Sequence, residues 1–171
     1  MTIVLTGGSG FIGTQLSKKL LALGDTVIVV DRFPPRFTHE QLFFIQCDIT
    51  TQQLPFNVLE HTDAVINLAG EPISQKWTLE KMKAIRNSRI ISTRHIVQSM
   101  HGAINRPTIF ICASAVGYYG ERGDEELTER SAKGTGFLAD VVSEWEIEAH
   151  TAENFGTRVV SIRTAPVVGH G

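Results

Sequence analysis

The run Thr6-Gly7-Gly8-Ser9-Gly10-Phe11-Ile12-Gly13 fits the spacing G-x-x-G-x-x-G. It follows a short β-branched run and opens an amphipathic stretch, the strand–turn–helix context in which such glycines hold a dinucleotide pyrophosphate. The glycines answer different physical demands. Gly7 permits the tight turn, Gly10 lets the backbone approach a phosphate with no Cβ in the way, and Gly13 lets the helix pack closely on the strand. The free N–H groups of the helix's first turn, with its dipole, then face the phosphates. This reading assigns Gly7, Ser9, Gly10, Phe11, Ile12 and Gly13 to a cofactor; the bland alternative is an ordinary glycine-rich loop. Asp31 ends the second apolar run, about 20 residues past the turn, where an acidic side chain bonds ribose hydroxyls. Its charge repels a 2′-phosphate and favours NAD. Arg32 and Arg36 offer guanidinium groups that pair with such a phosphate and favour NADP, although Arg36 equally fits a solvated loop face. The residues alone leave that choice open.

The elements that must carry the turn are legible in the periodicity. Strands are predicted at Thr2–Thr6, Thr26–Asp31, Leu42–Cys47, Ala64–Leu68, Thr108–Ala113 and Arg158–Arg163, several of them apolar almost throughout, as for strands buried on both faces. Between them lie helical stretches at Phe11–Leu23, with Ile12, Leu16, Leu20 and Leu23 on one side and Gly24 as its stop, at Lys81–Met100, and at Phe137–Phe155. Alternation of this kind specifies an α/β fold, a Rossmann-type doubly wound parallel sheet with helices on both faces. Residues 1–171 read as one NAD(P)-binding domain. The chain reaches Gly171 only a few residues after the last strand, so the expectation is a shortened domain whose C-terminal substrate-binding part is missing.

Bulk properties restrict the function classes. Apolar residues make up 42%, charged residues 20%, and the formal net charge is −2, which gives no general attraction for nucleic acid or an anionic membrane. No apolar stretch is long enough to span a bilayer. Cys47 and Cys112 sit inside apolar runs, match no zinc spacing and read as buried thiols in a reducing compartment. His61, His95, His101 and His150 show no ligand spacing, so no metal is expected. The expected protein is cytoplasmic.

Five blocks in order along the chain sharpen the reading: GGSGFIG (7–13), NLAGEPI (67–73), SRIIST (88–93), CASAVGYYG (112–120) and RTAPVVG (163–169). Together they resemble the atypical, epimerase-like branch of the extended short-chain dehydrogenase/reductases, within the NAD-dependent epimerase/dehydratase type. The resemblance implies that Leu68, Ala69 and Gly70 pass under the adenine-side ribose and pyrophosphate, that Asp48 and Ile49 lie by the adenine, and that Val167 borders the nicotinamide. It puts Arg32 against a 2′-phosphate, which moves the preference to NADP with NAD as the second cofactor. It also puts Arg89, where ordinary members carry asparagine, within reach of the cofactor.

Hydride-transferring members of that superfamily use a Ser with a Tyr and Lys in Y-x-x-x-K, the Tyr serving as general acid/base. Ser114 stands at the serine position. Where Y-x-x-x-K is due, this chain reads Phe137-Leu138-Ala139-Asp140-Val141; Phe transfers no proton, and Val neither lowers a pKa nor holds a ribose. Tyr118 and Tyr119 follow Ser114 closely and offer phenols at the sheet's carboxyl edge, so Ser114, Tyr118 and Tyr119 are the catalytic candidates, with packing as the plain alternative for the tyrosines. Trp77 and Glu71 are placed to line the same crevice. Two functions stay open: an epimerase-like nicotinamide-dependent oxidoreductase acting on an unknown small molecule, and a non-catalytic NADP(H)-binding regulatory protein. An exposed sheet edge and an uncovered crevice add the expectation of a homodimer.

Overall fold

The computed structural model describes residues 1–169; the final two positions of the expected domain, including Gly171, lie outside the described residues. Six strands, β1 (Thr2–Thr6), β2 (Thr26–Asp31), β3 (Leu42–Gln46), β4 (Ala64–Asn67), β5 (Ile109–Ala115) and β6 (Arg158–Thr164), form one sheet in the order β3-β2-β1-β4-β5-β6. Every pairing is parallel. This is the doubly wound order, and its reversal between β1 and β4 opens a crevice at the carboxyl ends of the strands.

Helices α1 (Phe11–Ala22), α2 (Leu79–Gly102) and α3 (Phe137–His150) cover the two faces unequally. Alternate residues of β1, Ile3 and Leu5, pack with Leu21 of α1 and with Val27, Val29 and Ile66. The intervening Val4 packs with Val65, Phe110 and the α2 and α3 residues Ile96, Met100, Trp145 and Ala149. Since successive side chains leave a strand on opposite faces, α1 lies on one face and α2 with α3 on the other.

The sequence expectations hold for element order and type; three differences bear on the packing. First, the buried stripe of α1 is Gly13, Ser17 and Leu21, whereas Ile12 is 42% and Leu23 67% exposed. Small side chains let this helix sit close to β1; of the residues predicted to face inward, Leu16 and Leu20 pack against the core, while Ile12 and Leu23 stand exposed. Second, β3 is half-exposed, with Phe43 53% exposed, because it is an edge strand and no helix spans its connection to β2. Third, α3 gives way to a 3-10 turn over Thr151–Phe155 that ends at Gly156 with φ +89. The α2 helix begins at Leu79 because the Thr78 side chain accepts from the Lys81 N–H and caps it. Gly24 takes φ +85 just past α1, as its predicted stop requires.

One buried polar network ties the layers together at the carboxyl end of the sheet. The Asn67 side-chain oxygen accepts from Thr6 Oγ1 at 2.7 Å and from the Ala69 N–H at 3.1 Å. Its amide nitrogen donates to Thr93 Oγ1 at 3.0 Å, and the Trp145 indole N–H reaches the same hydroxyl at 2.9 Å. Asn67, Thr6 and Thr93 are fully buried, so each bond replaces water that has no access. Asn67→Ala should cost about 2–3 kcal/mol by stranding the hydroxyls. Urea denaturation with an unchanged slope checks this, and a loss below about 0.5 kcal/mol would contradict it.

Candidate functional site

The geometry of the Gly7–Gly13 turn explains its composition. Gly7 takes φ +73, and a Cβ there would lie 2.7 Å from the Ala69 nitrogen. A Cβ on Gly13 would lie 2.4 Å from the Gly7 carbonyl oxygen and 2.6 Å from Gly8 Cα. Side chains are excluded at both positions, and the start of α1 is thereby pulled against the ends of β1 and β4.

Beside the turn, a cleft of about 620 Å³ runs across the carboxyl ends of β2, β1 and β4. The structure brings Gly7, Ser9, Gly10, Asp31, Arg32, Asp48, Ile49, Leu68, Ala69 and Gly70 together on its walls, with Arg36, Cys47, Glu71 and Ser88. Asp31 accepts from the Ser9 N–H at 3.1 Å and the Arg32 N–H at 2.7 Å, and the Ser9 hydroxyl donates to the Phe33 carbonyl at 2.6 Å. The carboxylate thus fixes the turn to the end of β2. A hydrogen bond from the Thr50 hydroxyl, helped by its N–H and by the Arg32 charge, holds the Asp48 carboxyl below its ordinary pKa against the opposing effect of burial. Glu71 is likewise held low by Gln75 and Lys81. The wall is therefore lined by ionised groups of both signs.

The remaining predicted residues stand outside this lining. Phe11 and Ile12 open α1, each 42% exposed, and Gly13 is buried beneath them. Val167, 52% exposed, follows β6. Arg89 packs under Gly70, whose Cβ would come within 3.3 Å of the guanidinium carbon, and over the Trp145 ring at 5.4 Å. Its Nη1 donates to the carbonyls of Glu71 and Ile85 at 3.1 Å each. Burial pulls the pKa of this guanidinium down, with the Glu71 charge opposing.

The catalytic candidates form a separate cluster. Ser114, expected just after the fifth strand, lies within β5; it is buried, and its hydroxyl donates to Glu146 of α3 at 2.5 Å. Register places Arg163 of β6 beside Ser114, and Arg163 grips both oxygens of Glu146 at 2.8 and 2.7 Å. Its Nη1 donates to the buried Tyr119 hydroxyl at 3.0 Å, and its guanidinium stacks 3.5 Å from the Tyr118 ring centre. Phe137 and Val141 occupy the positions where a Tyr and Lys were due; Val141 is buried, and Phe137 meets Trp77 edge-on with ring centres 5.6 Å apart. Glu146 and Arg163 escaped the sequence reading. Arg163 lay in a noted block, but a lone glutamate flanking an apolar helical stripe carries no signal of its partner.

A doubly wound sheet with a glycine-lined crevice at its topological switch point defines a Rossmann-type nucleotide-binding fold. The chain belongs to the NAD dependent epimerase/dehydratase family, whose model matches residues 3–171. It is 38% identical over 175 residues to the epimerase family protein SDR39U1 homolog, chloroplastic, of Arabidopsis thaliana, covering 99% of this chain and 50% of that one. The crystal structure of human epimerase family protein SDR39U1 (isoform 2) with NADPH superposes with a TM-score of 0.80 at 28% identity, over 100% of this chain and 56% of that one. The structure of a nucleoside-diphosphate sugar epimerase from Corynebacterium glutamicum gives a TM-score of 0.78 at 34% identity, over 95% and 33%. The chain spans about half the length of the curated relatives it matches. Among the described residues no helix is long and apolar enough to cross a membrane.

The Glu146–Arg163 pair makes stability depend on pH. Burial works to raise the Glu146 pKa, but the Arg163 and Ser114 hydrogen bonds and the Arg163 charge outweigh it, and the net shift is downward from 4.5. A folded-state value below the unfolded one means the stabilisation is complete above the unfolded value and is lost as pH falls through the folded one. Glu146→Gln should therefore be less stable than wild type by a constant margin across pH 6–8, and the margin should shrink on acidification below 4.5. Thermal melts across that range check it; a margin that widens in acid would contradict it.

Proposed function

We propose that residues 1–171 form one domain that binds NADP(H), with NAD(H) as second cofactor, and serves as the cofactor half of an epimerase-like oxidoreductase acting on a small molecule. The observation that carries the reading is the cleft, where the glycine turn, an acidic strand end and two arginines share one wall. The likeness to a human relative whose crystal structure is described with NADPH supports the choice of cofactor. In this reading the pyrophosphate lies over Gly7, Ser9 and Gly10, with Phe11 and Ile12 supplying N–H groups of the first helical turn and Gly13 the close packing. Asp31 and Arg32 take the adenosine ribose and its phosphate, Asp48 and Ile49 flank the adenine, and Leu68, Ala69 and Gly70 form the floor. Arg89 reaches the cofactor, and Val167 borders the nicotinamide.

For the chemistry, Ser114, Tyr118 and Tyr119 are proposed to act in proton handling or in orienting the substrate. Phe137 and Val141 favour a second reading, a cofactor-binding regulatory protein without turnover, because neither side chain moves a proton. We also propose a cytoplasmic location, in keeping with two free, buried thiols, of which Cys112 is pushed up to about 12 by burial. Self-association through the exposed β3 edge, where Phe43 and Phe44 stand open, completes the reading.

Fluorescence titration of NADPH and NADH into wild type and Arg32→Ala tests the cofactor assignment. Wild type should prefer NADPH, and the variant should lose about tenfold in NADPH affinity with NADH little changed. Equal affinities for both cofactors in both proteins would overturn the role of Arg32. NADPH binding with no oxidation across a panel of carbonyl compounds favours the regulatory reading. Sedimentation of the same samples as a monomer at every concentration would remove the dimer.

A further inference from the structure

The adenosine-side residues of the cleft, Asp31, Asp48 and Ile49, belong to the β2–β3 side of the switch point. A dinucleotide held at Gly7 and Gly10 must therefore extend its other half toward the ends of β4 and β5. What stands there is an aromatic wall. Trp77, on the connection from β4 to α2, is 42% exposed, and its ring meets Phe137, the first residue of α3, edge-on at 69°. The indole N–H donates to the Ile73 carbonyl at 2.9 Å, which fixes the ring and leaves only its π-surface to offer. Ile73, 41% exposed, extends the same wall from Glu71 and Pro72, which line the cleft.

Three polar side chains beside this wall, Glu71, Gln75 and Lys81, are tied to one another and to the backbone. The Gln75 amide donates to the Pro72 carbonyl at 2.6 Å and to Glu71 at 3.3 Å, and Lys81 donates to Glu71 at 3.2 Å. A polyhydroxylated sugar is bound by free donors and acceptors that replace its water shell, since a hydroxyl buried without a partner is costly. Glu71, Gln75 and Lys81 are engaged with one another, and the exposed Ile73 and Trp77 make the surface beside them aliphatic and aromatic. That surface gains most from a ring with an apolar face, by area burial and edge or face contact.

We propose that Trp77 and Phe137 form the substrate wall of the cleft, and that it takes a compound with a flat or apolar ring, an aromatic or alicyclic alcohol or ketone, instead of the sugar of a nucleotide sugar. The proposal rests on the dinucleotide reading above for the identity of the neighbouring ligand.

The chain contains two tryptophans, and Trp145 is buried, so a ¹⁵N-labelled sample gives two indole N–H signals, assigned by Trp77→Phe. Calorimetry with NADP⁺ is run first and tests the cofactor reading by itself. The NADP⁺-loaded chain is then titrated with benzyl alcohol, cyclohexanol and UDP-glucose. Expected are saturable shifts of the Trp77 signal with the two ring alcohols, no matching response to UDP-glucose, and an unmoved Trp145 signal. Phe137→Ala should weaken the ring alcohols about fivefold with Trp145 still in its native position. A chain that shows no heat with NADP⁺ but still titrates at Trp77 with the ring alcohols sinks the cofactor reading and supports the ring site. A tighter response to UDP-glucose than to the ring alcohols overturns the proposal, as does no saturable shift with any probe. A Trp77 shift that follows protein concentration alone also overturns it, since a second copy then covers the wall.

Discussion

The structure depends on where the first two inner strands end. At the carboxyl tips of β1 and β4, the Asn67 side chain accepts from Thr6 and from the Ala69 N–H while donating to Thr93. The bond to Ala69 sets the path of Leu68–Gly70, and that path leaves no room for a Cβ on Gly7. The turn, the cleft floor and the docking of α2 and α3 through Thr93 and Trp145 are thus consequences of one satisfied buried amide. Removing water from such a group makes its hydrogen bonds obligatory, so the ends of β1 and β4 are tied to α2 and α3.

Charge is arranged around that shape at two centres. On the cleft side, Asp31 organises the turn through the Ser9 N–H, and Arg32 carries positive charge toward Asp48 and Glu71. On the α3 side, Arg163 and Glu146 lock Ser114, Tyr118 and Tyr119 into one cluster. Arg163 is 18% and Glu146 13% exposed in their side chains, and breaking one partner of such a pair strands the other. The Arg86–Glu144 pair between α2 and α3 lies in water and contributes little, whereas Arg94 pairs with a Glu148 carboxylate whose side chain is only 17% exposed.

The amino-acid pattern made the six strands, the three helices and the glycine turn legible, because alternation, helical spacing and φ-positive glycines each leave a periodic trace. At α1 it showed Gly13 as a close-packing position but not Ser17, which is buried in the same stripe, because small residues are invisible to a hydrophobic count. At β3 the run LFFIQ reads as a strand, but only the sheet order shows that it lies at an edge. The cleft residues were legible one by one from the turn and from the family blocks. The Glu146–Arg163–Ser114 cluster was not, because its members come from α3, β6 and β5 and meet only through strand register and the packing of a helix on the sheet.

The central claim is that a dinucleotide lies along the glycine turn and across the ends of β2 and β4. Backbone amide spectra of the ¹⁵N-labelled chain, recorded with and without NADPH, address it directly. The account predicts the largest shifts at Gly7–Gly13, Asp31–Arg32 and Leu68–Gly70, residues separated in sequence and joined only by this cleft. Shifts confined to the β3 edge or to the Thr151–Phe155 turn, with the amides of the glycine turn unmoved, would contradict it.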